Sequence, residues 1–76
     1  MIRELNSVVL TCDLPRYRLK RGDVGTVVLA HEDKGYEVEF MTLDGETLAV
    51  ISVSLSQVRP IGRREIAHAR VVGPAG

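Results

Sequence analysis

The chain has 76 residues, 45% of them hydrophobic, and its ten basic and ten acidic side chains give a formal net charge of zero. This length permits one domain with a small core, and the single cysteine, Cys12, excludes an intrachain disulfide and is typical of a reducing compartment. No apolar run approaches the ~20 residues that a membrane-spanning helix needs, and the first residues lack the apolar region of a signal peptide. We therefore expect a cytoplasmic protein that makes no membrane contact.

The first third of the chain predicts two strands separated by a long loop. Ser7–Cys12 is rich in β-branched residues and predicts the first strand. Residues 13–22 form the loop, which we expect to fold back as an irregular hairpin because it contains a proline that cannot continue a central strand. The second predicted strand runs from Asp23 to His31, with Gly22 and Gly25 at its start to allow a positive-φ corner and a close backbone approach.

A hairpin then leads into the clearest strand of the sequence. Glu32–Gly35 predicts a short loop with Gly35 in the left-handed region. Tyr36–Phe40 alternates apolar and acidic residues with a period of two, as a strand with one buried face does. We expect its apolar side chains to face the core and Glu37 and Glu39 to face outward.

The remaining elements follow at short intervals. Asp44-Gly45 predicts a type I′ turn, which leads into a fourth strand over Thr47–Val53. Ser54–Gln57 predicts a tight 3₁₀ turn, and Val58–Pro60 a short fifth strand. Residues 61–76 are expected to form a poorly ordered or short helical tail, because isolated helices under ~12 residues are marginal in water.

Five short strands in meander order predict an all-β fold, a small SH3-like barrel over residues 1–60 followed by the tail. Alternation within the strands and the apolar residues between them select the expected core. Its members are Val8, Leu10, Leu19, Val24, Val27, Leu29, Tyr36, Val38, Phe40, Leu48, Val50, Leu55 and Val58.

The sequence offers little material for catalysis. Cys12, His31 and His68 are widely separated, and no pair of them has metal-ligand spacing. Alternation places Cys12 with the core side chains, where a thiol is expected to be buried and unreactive. We predict a protein that is not an enzyme, with no cofactor and no metal.

Charge is segregated along the chain despite its overall neutrality. Residues 1–22 carry five basic and two acidic side chains, residues 23–58 one basic and seven acidic, and residues 59–76 four basic and one acidic. Such blocks suit either a solvated surface or a dipolar one that orients a partner. The candidate partner-binding residues are the basic first loop and the acidic third strand: Arg16, Tyr17, Arg18, Lys20, Arg21, Glu37 and Glu39.

Three segments and one turn carry a resemblance to a known family: VVLTCDLP at 8–15, LKRGDVGTVV at 19–28, YEVEF at 36–40, and Asp44-Gly45. Over residues 2–60 the chain resembles a family of small bacterial domains of unknown function. The resemblance implies a stand-alone SH3-like barrel encoded beside another small protein, as in a two-gene toxin–antitoxin or toxin–immunity cassette. It supplies no catalytic residues. The glycine-containing segment is also similar to KOW-type barrels of ribosomal and transcription proteins, although the acidic middle of this chain departs from an RNA-binding surface.

Three functions therefore remain open. The first is a protein-binding module, the antitoxin or immunity half of a cassette, whose partner is the neighbouring gene product; a homodimer is a further option. The second is a nucleic-acid-binding barrel that uses the basic loop, in which arginines contact phosphates and Tyr17 stacks on a base. The zero net charge counts against this second reading. The third is an accessory subunit of an enzyme.

Overall fold

The computed structural model describes residues 2–73, which form one five-stranded antiparallel sheet. The strands are β1 (Ser7–Leu10), β2 (Val24–His31), β3 (Gly35–Met41), β4 (Thr47–Val53) and β5 (Val58–Pro60). Their order in the sheet is β4-β3-β2-β1-β5, so β4 and β5 are its two edges. The prediction of an all-β fold with five strands is confirmed. Within the described residues no pairing joins β4 to β5, so the sheet is not seen to close into a barrel.

The first loop folds back on itself as expected. A 3₁₀ turn covers Pro15–Tyr17, and an isolated bridge pairs Leu14 with Leu19. The proline suits the start of this turn because its fixed φ is already helical and its missing N–H is not needed there. A tight turn, 3₁₀ in type, was also expected at Ser54–Gln57. The tight turn is present, closed by one backbone hydrogen bond of 3.1 Å from Gln57 to Ser54, but it does not extend into a 3₁₀ helix.

The β3–β4 hairpin differs from the predicted type I′ turn. Gly45 has φ +97°, but Asp44 does not lie at positive φ, as a type I′ turn requires. The Thr42 N–H donates to the Glu46 carbonyl at 2.8 Å and closes a three-residue loop. The Thr42 hydroxyl donates to the Asp44 carboxylate at 2.5 Å and accepts the Glu46 N–H at 2.8 Å. These side-chain bonds favour the longer loop, in which only Gly45 needs positive φ.

The β2–β3 turn also places its left-handed residue elsewhere. Asp33, with φ +60°, occupies the left-handed region that was predicted for Gly35. Gly35 is instead the first residue of β3, with φ +126°, and lies against the backbone of Val53. Asp tolerates the left-handed region better than most residues, so Asp33 can occupy it. Position 35, with its larger positive φ and the Val53 backbone close by, admits only glycine without strain.

Seven of the predicted core residues are buried, and two more, Tyr36 and Leu48, are half-buried. The buried seven are Val8, Leu10, Leu19, Val27, Val38, Phe40 and Val58. Four predictions are wrong, since between 44% and 55% of the surface of these residues is exposed: Val24, Leu29, Val50 and Leu55. Three buried residues were missed: Val9, Ile51 and Val53.

Two β-bulges cause most of these errors. The β2–β3 register passes from Val27↔Val38 to Leu29↔Glu37, so the residue between Val27 and Leu29 has no partner. The extra residue reverses the alternation and turns Leu29 outward, opposite Glu37. A second shift, next to Phe40 in the β3–β4 pair, leaves position 48 without a partner and places Val50 outward.

The described part of the tail, residues 61–73, contains neither helix nor strand, so the expected helix is absent there. Two ion pairs, Arg59–Glu65 and Arg70–Asp23, connect it to β5 and to the residue before β2. Residues 74–76 lie outside the described residues. Among residues 2–73, no helix combines the length and apolar character needed to cross a membrane.

Candidate functional site

The basic first loop is built around one buried anchor. Leu19 is 2% exposed and packs in the core, while its backbone exchanges two hydrogen bonds with Leu14, of 2.9 and 3.2 Å. Between them, Arg16 and Tyr17 lie on the 3₁₀ turn, and Arg18 ends it in the left-handed region with φ +59°. The chain is therefore pinned at both ends of a tight loop whose basic side chains are exposed.

Two aspartates brace the second half of this loop through its backbone. The Arg21 N–H donates to the Asp13 carboxylate at 2.8 Å, and the Lys20 N–H donates to the Asp23 carboxylate at 2.8 Å. Each of these carboxylates therefore accepts a hydrogen bond from the backbone amide of a basic residue. Both charged side chains remain exposed to solvent.

Asp23 is also the anchor for the tail. The Arg70 Nε donates to one Asp23 oxygen at 2.9 Å, and the Arg70 Nη2 donates to the other oxygen and to the Arg18 carbonyl, the latter at 3.0 Å. Burial raises the pKa of Asp23, but the hydrogen bonds from Arg70 and from the Lys20 backbone outweigh it and leave the pKa below its ordinary value. The hydrogen bond to Asp23 in turn raises the pKa of Arg70.

Arg16, Lys20 and Arg21 form no ion pair with any part of the chain that the structure describes. The Arg16 guanidinium lies over the Tyr17 ring, 5.7 Å from its centre, and Tyr17 is 38% exposed. A cation on a half-exposed ring at this distance is a weak cation–π contact that limits the freedom of both side chains. The first loop therefore presents exposed basic side chains on a backbone that hydrogen bonds hold in place.

A cleft of about 370 Å³ lies beside this loop. Its lining includes Arg16, Tyr17 and Arg18 together with residues 47–49 at the start of β4. Thr42, Glu46 and the tail residues 72–73 complete the lining. The structure thus brings three of the predicted site residues against the edge strand of the sheet, a neighbour that the sequence did not indicate.

Glu37 and Glu39 are on the outer face of β3, as predicted, and neither lines that cleft. Glu37 accepts hydrogen bonds from the Ser52 hydroxyl at 2.5 Å and from the His31 ring at 3.0 Å, and these bonds lower its pKa. Glu39 accepts one from the Thr47 hydroxyl at 2.7 Å. The acidic residues thus bond to neighbours on their own sheet face, and the seven candidate residues divide into two separate groups.

The group of Ser52, Glu37 and His31 is not a catalytic triad. Ser52 and His31 both contact the same carboxylate oxygen, so the imidazole is not placed to take the serine proton. Cys12 lies beyond the end of β1 and is half-buried, not fully buried as expected. Within residues 2–73 no group of three or more His, Cys, Asp or Glu side chains is arranged to hold a metal.

A family model for DUF4926, a domain of unknown function, matches residues 4–60, about three quarters of the chain. The chain belongs to the DUF4926 family. The comparison with curated proteins and the comparison with solved structures each found no match.

The extent of the DUF4926 match separates the site into two parts. The first loop, Asp13, Asp23 and the start of β4 lie within it, whereas Arg70 and the rest of the tail lie outside it. Arg70 and the structural roles of the two aspartates were missed by sequence reasoning. The Asp23–Arg70 pair joins positions 47 residues apart, and no local pattern carries that information.

Proposed function

We propose that this DUF4926 domain is a cytoplasmic, non-enzymatic module that binds another protein through its basic first loop. We further propose that the partner is the product of a neighbouring gene and that the domain is the antitoxin or immunity half of a two-gene cassette. The observation that carries the proposal is the bracing of the loop by backbone hydrogen bonds to Asp13 and Asp23. Because the loop is held before binding, less conformational entropy is lost when a partner docks.

We also propose that the sheet curls as an SH3-like barrel does. The strand order puts the short β5 beside β1, and the bulge in the eight-residue β2 gives that strand the local twist that a curled sheet needs. Domains of this size present loops and edges to partners and seldom contain a catalytic pocket. The segregated charge would orient the partner and speed its approach.

A nucleic-acid-binding, KOW-like function is the second candidate. It is favoured by one contact, the Arg16 guanidinium over the exposed Tyr17 ring, which is the combination used to hold phosphate and base together. The negative charge of Glu46, which lines the same cleft, would repel a polyanion such as a nucleic acid. We rank this function below protein binding for that reason, and an accessory-subunit role below both.

The test is affinity capture of the tagged domain from its native lysate, with and without nuclease, and with charge-reversal variants. The double variant Arg16→Glu/Arg21→Glu changes the first loop. The control Lys34→Glu/Arg63→Glu makes the same change in net charge at exposed positions elsewhere. We expect one stoichiometric protein that survives nuclease, is lost with the loop variant and is kept with the control. Capture that requires nucleic acid, or that both variants weaken equally, contradicts the proposal.

A further inference from the structure

The two edges of the sheet differ in a way that bears on binding. β5 has only three residues and carries a charge and a proline, Arg59 and Pro60, which discourage the pairing of another strand. β4 has seven residues, Thr47–Val53, with neither charge nor proline among them. Natural proteins seldom leave an edge of this length and composition unguarded, because it is a template for another chain.

Within residues 2–73, no strand pairs with the side of β4 that faces away from β3. β4 pairs only with β3, and no backbone group of residues 47–53 forms a hydrogen bond with any other part of the described chain. In an antiparallel ladder alternate residues of an edge strand turn their N–H and C=O groups away from the sheet. Val50, at the centre of β4, is 55% exposed, so the outer face of the strand is open to solvent at this point.

The start of β4 and the basic first loop line the same cleft. Residues 47–49 of β4 contribute to its lining, as do Arg16 and Tyr17. A strand added to β4 would lie about 4.8 Å from it. It would therefore enter this cleft and bring its side chains beside the first loop.

We propose that β4 binds an extended segment of the partner by strand addition, and that this segment carries carboxylates where it passes Arg16. The proposal rests on the protein-binding function above and specifies the partner chemistry. Glu46 lies in the same cleft and repels a carboxylate near the hairpin, so the acidic side chains belong on the first-loop side. Side chains over Val50 should be neutral, because Glu39 stands directly beside it on the outer face.

A second copy of this chain fits the cleft less well. Antiparallel pairing of two β4 strands about Val50 would place the end of one strand, Val53, and the neutral residues after it, Ser54 and Leu55, beside the first loop of the other. No carboxylate would then meet Arg16. Charge complementarity favours an acidic segment from a different protein.

The test uses blocked seven-residue peptides, the length of β4, made of valine and threonine with two glutamates at one end. Two N-methylated forms of this acidic peptide carry methyl groups on the odd or on the even residues. A strand on an edge uses only one of these sets of N–H groups. We therefore expect one methylated peptide to lose binding by about tenfold or more and the other to keep it, measured by fluorescence anisotropy.

The charge component is tested on the protein. Arg16→Glu should weaken binding of the acidic peptide by about tenfold, and the control Arg63→Glu by less than about twofold, because Arg16 lines the cleft and Arg63 does not. A peptide with lysines in place of glutamates should bind about tenfold more weakly than the acidic one. Amide NMR shifts should concentrate on β4 and the first loop.

The outcomes separate this inference from the function on which it rests. Equal binding of both methylated peptides would overturn strand addition while leaving a charge-driven role for the loop. Tighter binding of the lysine peptide, or no binding at millimolar peptide, would also overturn it, and the capture experiment would still decide the protein-binding function. Concentration-dependent dimerisation with NMR shifts on β4 in the absence of peptide would assign the edge to a second copy and refute the proposal.

Discussion

Replacement of Gly35 by alanine should destabilise the domain more than any other single methyl addition at its glycines. Gly35 begins β3 at φ +126°, and a Cβ built there would lie 2.1 Å from the Val53 carbonyl oxygen. That oxygen belongs to the backbone at the end of β4, so it cannot rotate away as a side chain would. The substitution therefore combines an unfavourable φ with a clash between two strands.

The other glycines allow the two effects to be separated. Gly45 has φ +97° with no atom within 4 Å of its Cβ position, so Gly45→Ala measures the φ effect alone. Gly25 is not at positive φ, but its Cβ would lie 2.6 Å from Val38 Cγ1 and 2.8 Å from Phe40 Cε1, so Gly25→Ala measures crowding alone.

The expected magnitudes follow from these contacts. A left-handed φ costs an alanine about 1–2 kcal/mol, and crowding in a packed core costs about 1–3 kcal/mol. At Gly35 the two add, and the clash with a backbone atom places their sum at about 3–5 kcal/mol. A domain of fewer than 80 residues has only about 3–5 kcal/mol of stability from its core, so Gly35→Ala should be largely unfolded at 25 °C.

The assay is urea denaturation of the wild type and the three variants, followed by circular dichroism. We expect Gly45→Ala and Gly25→Ala to fold with lowered midpoints. A shift of about 4–8 °C in Tm per kcal/mol provides an independent thermal measure. A Gly35→Ala protein as stable as Gly45→Ala would refute the argument, because it would show that the β3–β4 contact yields without cost.

Three further predictions concern the core and the tail. Phe40→Ala should lower the free energy of unfolding by about 3–5 kcal/mol, since Phe40 is 2% exposed, and a loss under about 1 kcal/mol in urea titration would contradict its central place. The Arg59 guanidinium and the Gly62 amide lower the pKa of Glu65 to about 2, below its ordinary 4.5, so the attachment of the tail should persist above pH 4.5 and be lost as the pH falls towards 2. The Gly62 amide NMR shift should follow that titration, and a midpoint near 4.5 would show that the contact is absent in solution. Asp23→Asn should weaken the bond to Arg70 and lower the ¹⁵N NMR order parameters of residues 61–73, and unchanged order parameters would show that this pair does not hold the tail.

The candidate site was only partly accessible to sequence reasoning. The exposure of Arg16 and Tyr17 could be predicted, because a proline-containing loop between two apolar strands must lie at the surface. That the start of β4 lines the same cleft could not be predicted, because this arrangement depends on how the whole first loop folds back. The positions of Glu37 and Glu39 followed from alternation, but their bonds to Ser52 and Thr47 required the β3–β4 register.

The sequence by itself determined the number of strands, the positions of the β2–β3 and β3–β4 turns and the inward face of β3. These features depend on short windows: alternation with a period of two, and turn residues that permit a particular φ. The bounds of β5, Val58–Pro60, were predictable for the same reason, since a proline ends the strand.

Only the tertiary structure decided which faces of β2 and β4 are buried. A bulge is a mismatch in length between two paired strands, so its place depends on the partner and not on the strand that contains it. The extra residues at 28 and 48 therefore turned Leu29 and Val50 outward, although each sits in an apolar run. The Asp23–Arg70 pair has the same origin, because a contact between residues 47 positions apart exists only once the chain has folded.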